Sequence, residues 1–205
     1  MATALTGPYG CEGARGSIGG LTMTQDRKAG TVLKRKPQPS NPQSAAQMGN
    51  RHMFGFVGAD WANISAEDKA TWESLAGSQQ ISEFAAYTQK NAQRWQQGKL
   101  PSQAYPAAES ETPTAAGTLT ITNRTGAPDT ASFAFTAAAT DWGVIFYRGS
   151  GGAPTGVKSE VIAVRRCTPG EANVIAVDHD GAQADVIKVA VFTNDGVRSA
   201  LIAAA

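Results

Sequence analysis

Large apolar side chains change their spacing along the chain, and that change divides it. Ala45, Met48, His52, Phe56 and Ala59 recur at three- and four-residue steps, the period of an amphipathic helix. Asn41-Pro42 supplies a cap and a first-turn residue for it, and the pattern runs to about Trp61. Gly49, Gly55 and Gly58 lie inside this helix and weaken it. Ser65-Ala66-Glu67-Asp68 resembles a capping box with Asp in place of Glu. It opens a second helix with Ile64, Lys69, Trp72, Leu75 and Ala76 near one side, for which Gly77 is the expected stop. A third helix begins near Ser82, carries Phe84, Tyr87, Asn91 and Trp95, and ends at Gln97-Gly98. Short connections make these a small antiparallel bundle, with Phe54, Phe56, Val57, Trp61, Trp72, Leu75, Phe84, Tyr87 and Trp95 as its expected core.

Beyond residue 113 the period falls to two. Residues 118–122, 132–136, 144–147, 160–165, 173–177, 186–192 and 198–202 are β-branched or aromatic runs separated by Gly, Pro, Asn and Asp. Such runs at about ten-residue spacing are the sequence form of a β-sandwich. No cysteine pair flanks a core tryptophan, so the expectation is immunoglobulin-like architecture without the disulfide.

Two segments fit neither period. Residues 101–113, PSQAYPAAESETP, are polar with three prolines and predict a semi-rigid linker. Residues 1–40 are Gly-rich and poor in large apolar side chains, so they cannot bury enough surface alone to offset their ordering entropy. Within them Leu21 to Gln25 and Thr31 to Lys34 read as two β-runs around a turn, a hairpin that is marginal in isolation. The fold class expected is therefore α+β and multi-domain. An extended basic arm (1–40) leads to a small three-helix module (41–100), a Pro-rich linker (101–113) and an all-β, immunoglobulin-like sandwich (114–205).

Net charge is +1 over 205 residues, but residues 1–60 hold seven Lys or Arg against three acids. The candidate partner-binding residues are Arg27, Lys28, Leu33, Lys34, Arg35 and Lys36. Such a run neutralises phosphates, docks on an acidic protein surface, or stays solvated. The absence of interleaved aromatics disfavours single-strand nucleic acid. No apolar stretch is long enough to span a membrane, and the first twenty residues lack the basic start and apolar stretch of a signal peptide. Synthesis in the cytoplasm is expected.

Catalytic chemistry is sparsely provided. The histidines are His52 and His179 and the cysteines Cys11 and Cys167, too few for a zinc framework. Asp178-His179-Asp180-Gly181 could hold a metal or tune a base. Alternation, however, sends His179 away from the two carboxylates, and Asp-Gly between β-runs reads as a turn; Asn194-Asp195-Gly196 reads the same way. The Gly-rich stretches 16–20 and 149–152 lack the Lys-Ser/Thr ending of a phosphate loop. No serine or cysteine has an evident His and Asp set. The expectation is no enzyme, no cofactor and no metal.

Two resemblances bear on function. Trp61-Ala62-Asn63-Ile64-Ser65-Ala66-Glu67-Asp68-Lys69-Ala70-Thr71-Trp72, with Phe54 before and Tyr87 after, resembles the second-helix region of a high-mobility-group box, which would imply DNA binding. The surrounding segment, however, carries more acids than bases and a minor-groove binder needs a basic face. A longer likeness runs from Gly16 to Gly98. Gly16-Ser17-Ile18-Gly19-Gly20-Leu21-Thr22, Lys34-Arg35-Lys36, Pro39 to Gln47, Arg51, Phe54, Trp61, Lys69-Ala70-Thr71-Trp72, Phe84, Tyr87 and Asn91 resemble a module of tailed-bacteriophage and prophage proteins. That resemblance implies a multicopy structural component of the virion. A capsid decoration or cement protein bound to the major capsid protein, or to other virion proteins, is the leading expectation. A tail or neck component is its variant, and an architectural DNA-binding protein the alternative.

Overall fold

The computed structural model describes residues 44–122, 129–149, 152–179 and 186–203, and the strand backbones at 3–4, 16–18, 21–26 and 30–35. The chain divides into two compact units, Met1–Pro42 and Gln43–Ala205. In the first, β1 (Thr3–Ala4), β2 (Gly16–Ile18), β3 (Leu21–Asp26) and β4 (Gly30–Arg35) form one antiparallel sheet in the order β1-β4-β3-β2. The predicted hairpin is its centre, with Leu21 opposite Arg35 and Asp26 opposite Gly30. The two flanking strands were not expected and replace the extended arm by a sheet: isolated hairpins are marginal, and added strands satisfy more of the backbone.

The second unit opens with α1 (Ala45–Asp60), followed by a 3-10 turn at Trp61–Asn63. Asn41 and Pro42, the expected start, lie outside the described residues. The second predicted helix is broken into α2 (Ala66–Ala70) and α3 (Glu73–Gln79), then α4 (Glu83–Gln96) follows. Ser65 caps as expected, accepting from the N–H of Asp68, and Ser82, near the expected start of the third helix, caps α4 by accepting from the N–H of Ala85. Gly77 does not end α3, because Gln80 takes the left-handed conformation, φ 54°, and closes it.

Six of the seven β-runs coincide with strands. β5 (Thr118–Thr122), β6 (Asp129–Thr136) and β9 (Ala172–His179) form one antiparallel sheet in the order β5-β6-β9. β7 (Asp141–Gly149), β8 (Val161–Arg166), β10 (Val186–Thr193) and β11 (Ile202–Ala203) form the other, in the order β11-β10-β7-β8. The last run, expected over 198–202, contracts to a short strand plus a bridge from Arg198 to Phe192.

The two sheets face each other across a core of Leu119, Phe133, Phe135, Val144, Phe146 and Val189 with their neighbours. The opposite face of the β7 sheet is also buried. Ile145, Tyr147, Val161, Val164, Ala190 and Phe192 share a second core with Met53, Phe56, Val57, Trp72, Tyr87 and Trp95 of the helices. A strand buried on both sides needs apolar residues at successive positions, which is why β7 reads Trp142-Gly143-Val144-Ile145-Phe146-Tyr147. The β7–β10 register shifts by one residue between Phe192 and Thr193, leaving Trp142 as the extra residue of β7. That bulge sends the indole to the helical side, against Phe56 and Phe192.

The helices and sandwich are therefore not separate modules. Their joint core corrects the boundary expected between 41–100 and 114–205, and the linker expected at 101–113 is a packed strap. Asn91 brackets Ser102, accepting from its N–H at 2.8 Å and donating to its carbonyl at 3.0 Å. The Trp72 indole donates to the Gln103 carbonyl at 2.7 Å, the Gln103 N–H to the Asn194 carbonyl at 2.7 Å. The Asp195 carboxylate accepts from the N–H groups of Ser110 and Glu111. Two residues of the expected bundle core lie outside it: Phe54 and Phe84 are 38% and 42% exposed. The helices have a sheet to pack on, so their buried face turns toward Met53, Phe56 and Val57.

Candidate functional site

The expected partner-binding run falls largely outside what can be placed. Arg27, Lys28 and Lys36 lie outside the described residues, and Leu33, Lys34 and Arg35 lie on the β4 backbone.

The elements expected to carry chemistry do not converge. His52 is on α1 and His179 ends β9, while Asp180 and Cys11 lie outside the described residues. Asp178 accepts a hydrogen bond from the Thr130 hydroxyl at 3.0 Å, a cross-strand contact between paired residues of β6 and β9. Cys167 is buried, and burial with the nearby Asp141 carboxylate pushes its thiol up to about 12, so it is not a thiolate nucleophile at neutral pH. Among the described residues no three His, Cys, Asp or Glu side chains cluster as a metal site would require. No described helix is long and apolar enough to cross a membrane.

The structure instead assembles a cationic cleft that the sequence reading missed. It holds about 340 Å³ between α1 and the end of β8, with Arg51, His52 and Gly55 on one wall and Arg165 and Arg166 on the other. At its inner end is Asp60, a buried carboxylate. Asp60 accepts from the Trp142 indole at 2.8 Å and from the Gln103 amide at 3.1 Å, and pairs with Arg166 at 3.1 Å. One negative charge thus serves the helix end, the strap, β7 and β8 together. Arg165 donates to the Val164 carbonyl at 3.3 Å, a neutral acceptor. Burial, then the charge of Arg165, holds the His52 imidazole below its ordinary pKa, which favours its neutral form. The adjacency of Arg165 and Arg166 was visible in sequence, but their approach to Arg51 and His52 needs α1 to lie along β8.

A second hollow, about 340 Å³ with Trp95, Leu100 and Tyr147 among its lining, has its charges committed to closing loops. Lys158 donates to the Gln96 carbonyl at 2.7 Å, Lys99 pairs with Glu109 at 3.0 Å, and Arg198 donates to the Gly156 carbonyl at 2.9 Å. A shallow groove beside Trp61, Ile81 and Phe84, with Glu73 and Glu83, leaves apolar and acidic surface exposed together.

No protein-family model matches the chain, and neither a curated protein nor a solved structure does.

Proposed function

We propose that the chain is a non-enzymatic structural component of a tailed-bacteriophage particle, a capsid decoration or cement protein. Residues 1–40 engage the shell through Arg27, Lys28, Leu33, Lys34, Arg35 and Lys36, and the second unit is the part displayed. The observation that carries this reading is the division of the chain into a small β-unit and a larger unit with continuous packing. The smaller unit carries six Lys or Arg against two acids, while residues 43–205 carry twelve against fifteen. A strand-rich anchor can add backbone hydrogen bonds at a neighbour's sheet edge. Many copies multiply weak contacts through avidity. Immunoglobulin-like architecture is the finer proposal for the sandwich. Its first, second and fifth strands share one sheet and its third, sixth and seventh the other, as in that fold. The fourth strand sits on the edge of the second sheet.

Quantitative mass spectrometry of purified particles, reporting copies of this chain relative to the major capsid protein, tests the reading. Hundreds of copies support shell decoration, and six or twelve move the assignment to the tail or neck. Absence from particles overturns it in favour of DNA binding by the basic run, whose affinity must then fall with salt at a log–log slope of about −0.9 per neutralised phosphate.

A further inference from the structure

We propose that the outer edge of β9 is a self-association surface, at which two copies of this chain pair β9 with β9 antiparallel and join their three-stranded sheets edge to edge. This does not depend on the virion reading.

The backbone is the first ground. Among the described residues β9 has a strand neighbour on one side only, β6, and runs beside it for eight residues with no shift of register. The Ala137 N–H donates to the Glu171 carbonyl one step beyond the last pair, Thr136 opposite Ala172. Hydrogen bonding alternates along an antiparallel strand, so Asn173, Ile175 and Val177 turn their N–H and carbonyl groups to β6. Ala172, Val174, Ala176 and Asp178 turn theirs away from it, and all four residues are exposed. Val174 is 75% exposed, the most of any large apolar side chain described.

Contrast with the other edges of the sandwich is the second ground. Charge, proline, a bulge or short length keeps a native sheet edge from pairing with another chain. β8 ends in Arg165-Arg166, and its ladder with β7 is broken by a shift between Phe146 and Tyr147. β11 has two residues. β5 has five and, by the same alternation, turns only Leu119 and Ile121 outward. β9 carries no charge, proline or bulge from Ala172 to Val177.

The occupant is a second copy because the strand complements itself. In a two-fold pairing centred on Ile175, Ala172 lies opposite the partner's Asp178 and Val174 opposite the partner's Ala176. Each outward N–H then meets an outward carbonyl, whereas sliding one strand by two residues leaves an outward residue at the strand end unpaired. The same register holds the two Asp178 carboxylates six residues apart along the strand, about 20 Å. That is beyond the roughly 8 Å over which charges act on each other at physiological ionic strength. Val174 against the partner's Ala176 adds an apolar contact on the outer face.

Sedimentation equilibrium of the full chain from micromolar to millimolar concentration, with amide hydrogen exchange followed by NMR over the same range, is the experiment. A monomer–dimer equilibrium is expected. As dimer forms, the amides of Val174, Ala176 and Asp178 should exchange more slowly, while those of Asn173, Ile175 and Val177 stay protected throughout. Val174→Lys and Ala176→Pro should each weaken the dimer at least tenfold with the far-UV circular dichroism unchanged, since the proline removes an N–H that β6 does not use. A chain that is monomeric at every concentration overturns the inference. So does a dimer that both folded variants leave intact, which would use another surface. Outward amides already slow in the monomer overturn it as well, because the chain would then cover this edge itself.

Discussion

Asp60 is a side chain on which four elements depend. Its Oδ2 accepts the Trp142 indole N–H and the Gln103 amide while its Oδ1 faces Arg166. Arg166 is 41% exposed in its side chain, so water can solvate it if the carboxylate is removed. The Trp142 indole cannot reach water, because the residue is buried. Leaving that donor unsatisfied costs about 1–3 kcal/mol. Asp60→Ala should therefore lower stability by about that amount in urea or thermal unfolding, and Asp60→Asn by less, because its amide oxygen still accepts from the indole. Equal losses would mean that the charge, not the hydrogen bond, carries the contribution. Asp195 gives a pH signature. Burial pushes its carboxyl up, but the Thr193 hydroxyl and the N–H groups of Glu111, Ser110 and Val197 outweigh burial and hold it below the ordinary range. The unfolded chain then takes up the proton first as pH falls. The stabilisation is whole above about pH 4 and is lost as pH drops through the depressed folded value. The stability gap between the wild type and Asp195→Asn should accordingly be widest near neutrality and shrink in acid, as read by thermal melts across that range.

At the scale of elements, α1 decides how the helices meet the sheet. Gly49 is buried where a Cβ would stand 2.2 Å from the Lys158 carbonyl oxygen and 3.4 Å from the Val161 Cβ. Backbone cannot yield cheaply, so Gly49→Ala should cost about 1–3 kcal/mol by overpacking, although alanine is the better helix former. Gly58 lies in the same helix, and an added Cβ there meets nothing within 4 Å. Gly58→Ala should stabilise by about 0.5–1 kcal/mol. Opposite signs in one helix, read by chemical denaturation, would establish that α1 docks through Gly49 against the Lys158–Val161 backbone while Gly58 faces away. The same helix shows what was legible beforehand. Its existence, the Ser65 cap, the helix start near Ser82 and six of the seven β-runs follow from local periodicity and capping chemistry, which neighbours along the chain determine. Which side of α1 is buried is not local. The stripe through His52 and Ala59 looked like the inner face, yet Gly49, Met53, Phe56 and Val57 are the buried positions, because a sheet rather than a second helix supplies the opposing surface. The cationic cleft was illegible for the same reason: Arg51 and Arg165 are separated by most of the chain's length.

At the scale of the whole second unit, the strap over 101–113 and the doubly buried β7 sheet make helices and sandwich interdependent. Removing the helical layer would expose Ile145, Val161, Val164 and Phe192, each now buried, at about 25 cal/mol per Å² of apolar surface. Proline richness suggested a spacer at 101–113, but proline also suits an ordered strap. Pro101 and Pro113 are buried, and Trp72, Asn91 and Asp195 take up the strap's amide and carbonyl groups. Two separate modules would unfold in two steps, and one shared core should unfold in one. Tryptophan emission reports the helical side, where Trp61, Trp72 and Trp95 pack with Trp142. Far-UV circular dichroism near the β minimum reports the sheets, of which the two of the sandwich hold most of the strand residues. In urea the two signals from the full chain should give coincident midpoints and slopes, and Trp72→Ala should shift both together by about 3–5 kcal/mol of destabilisation. A variant that lowers the fluorescence midpoint and leaves the β signal in place would divide the unit again at the strap.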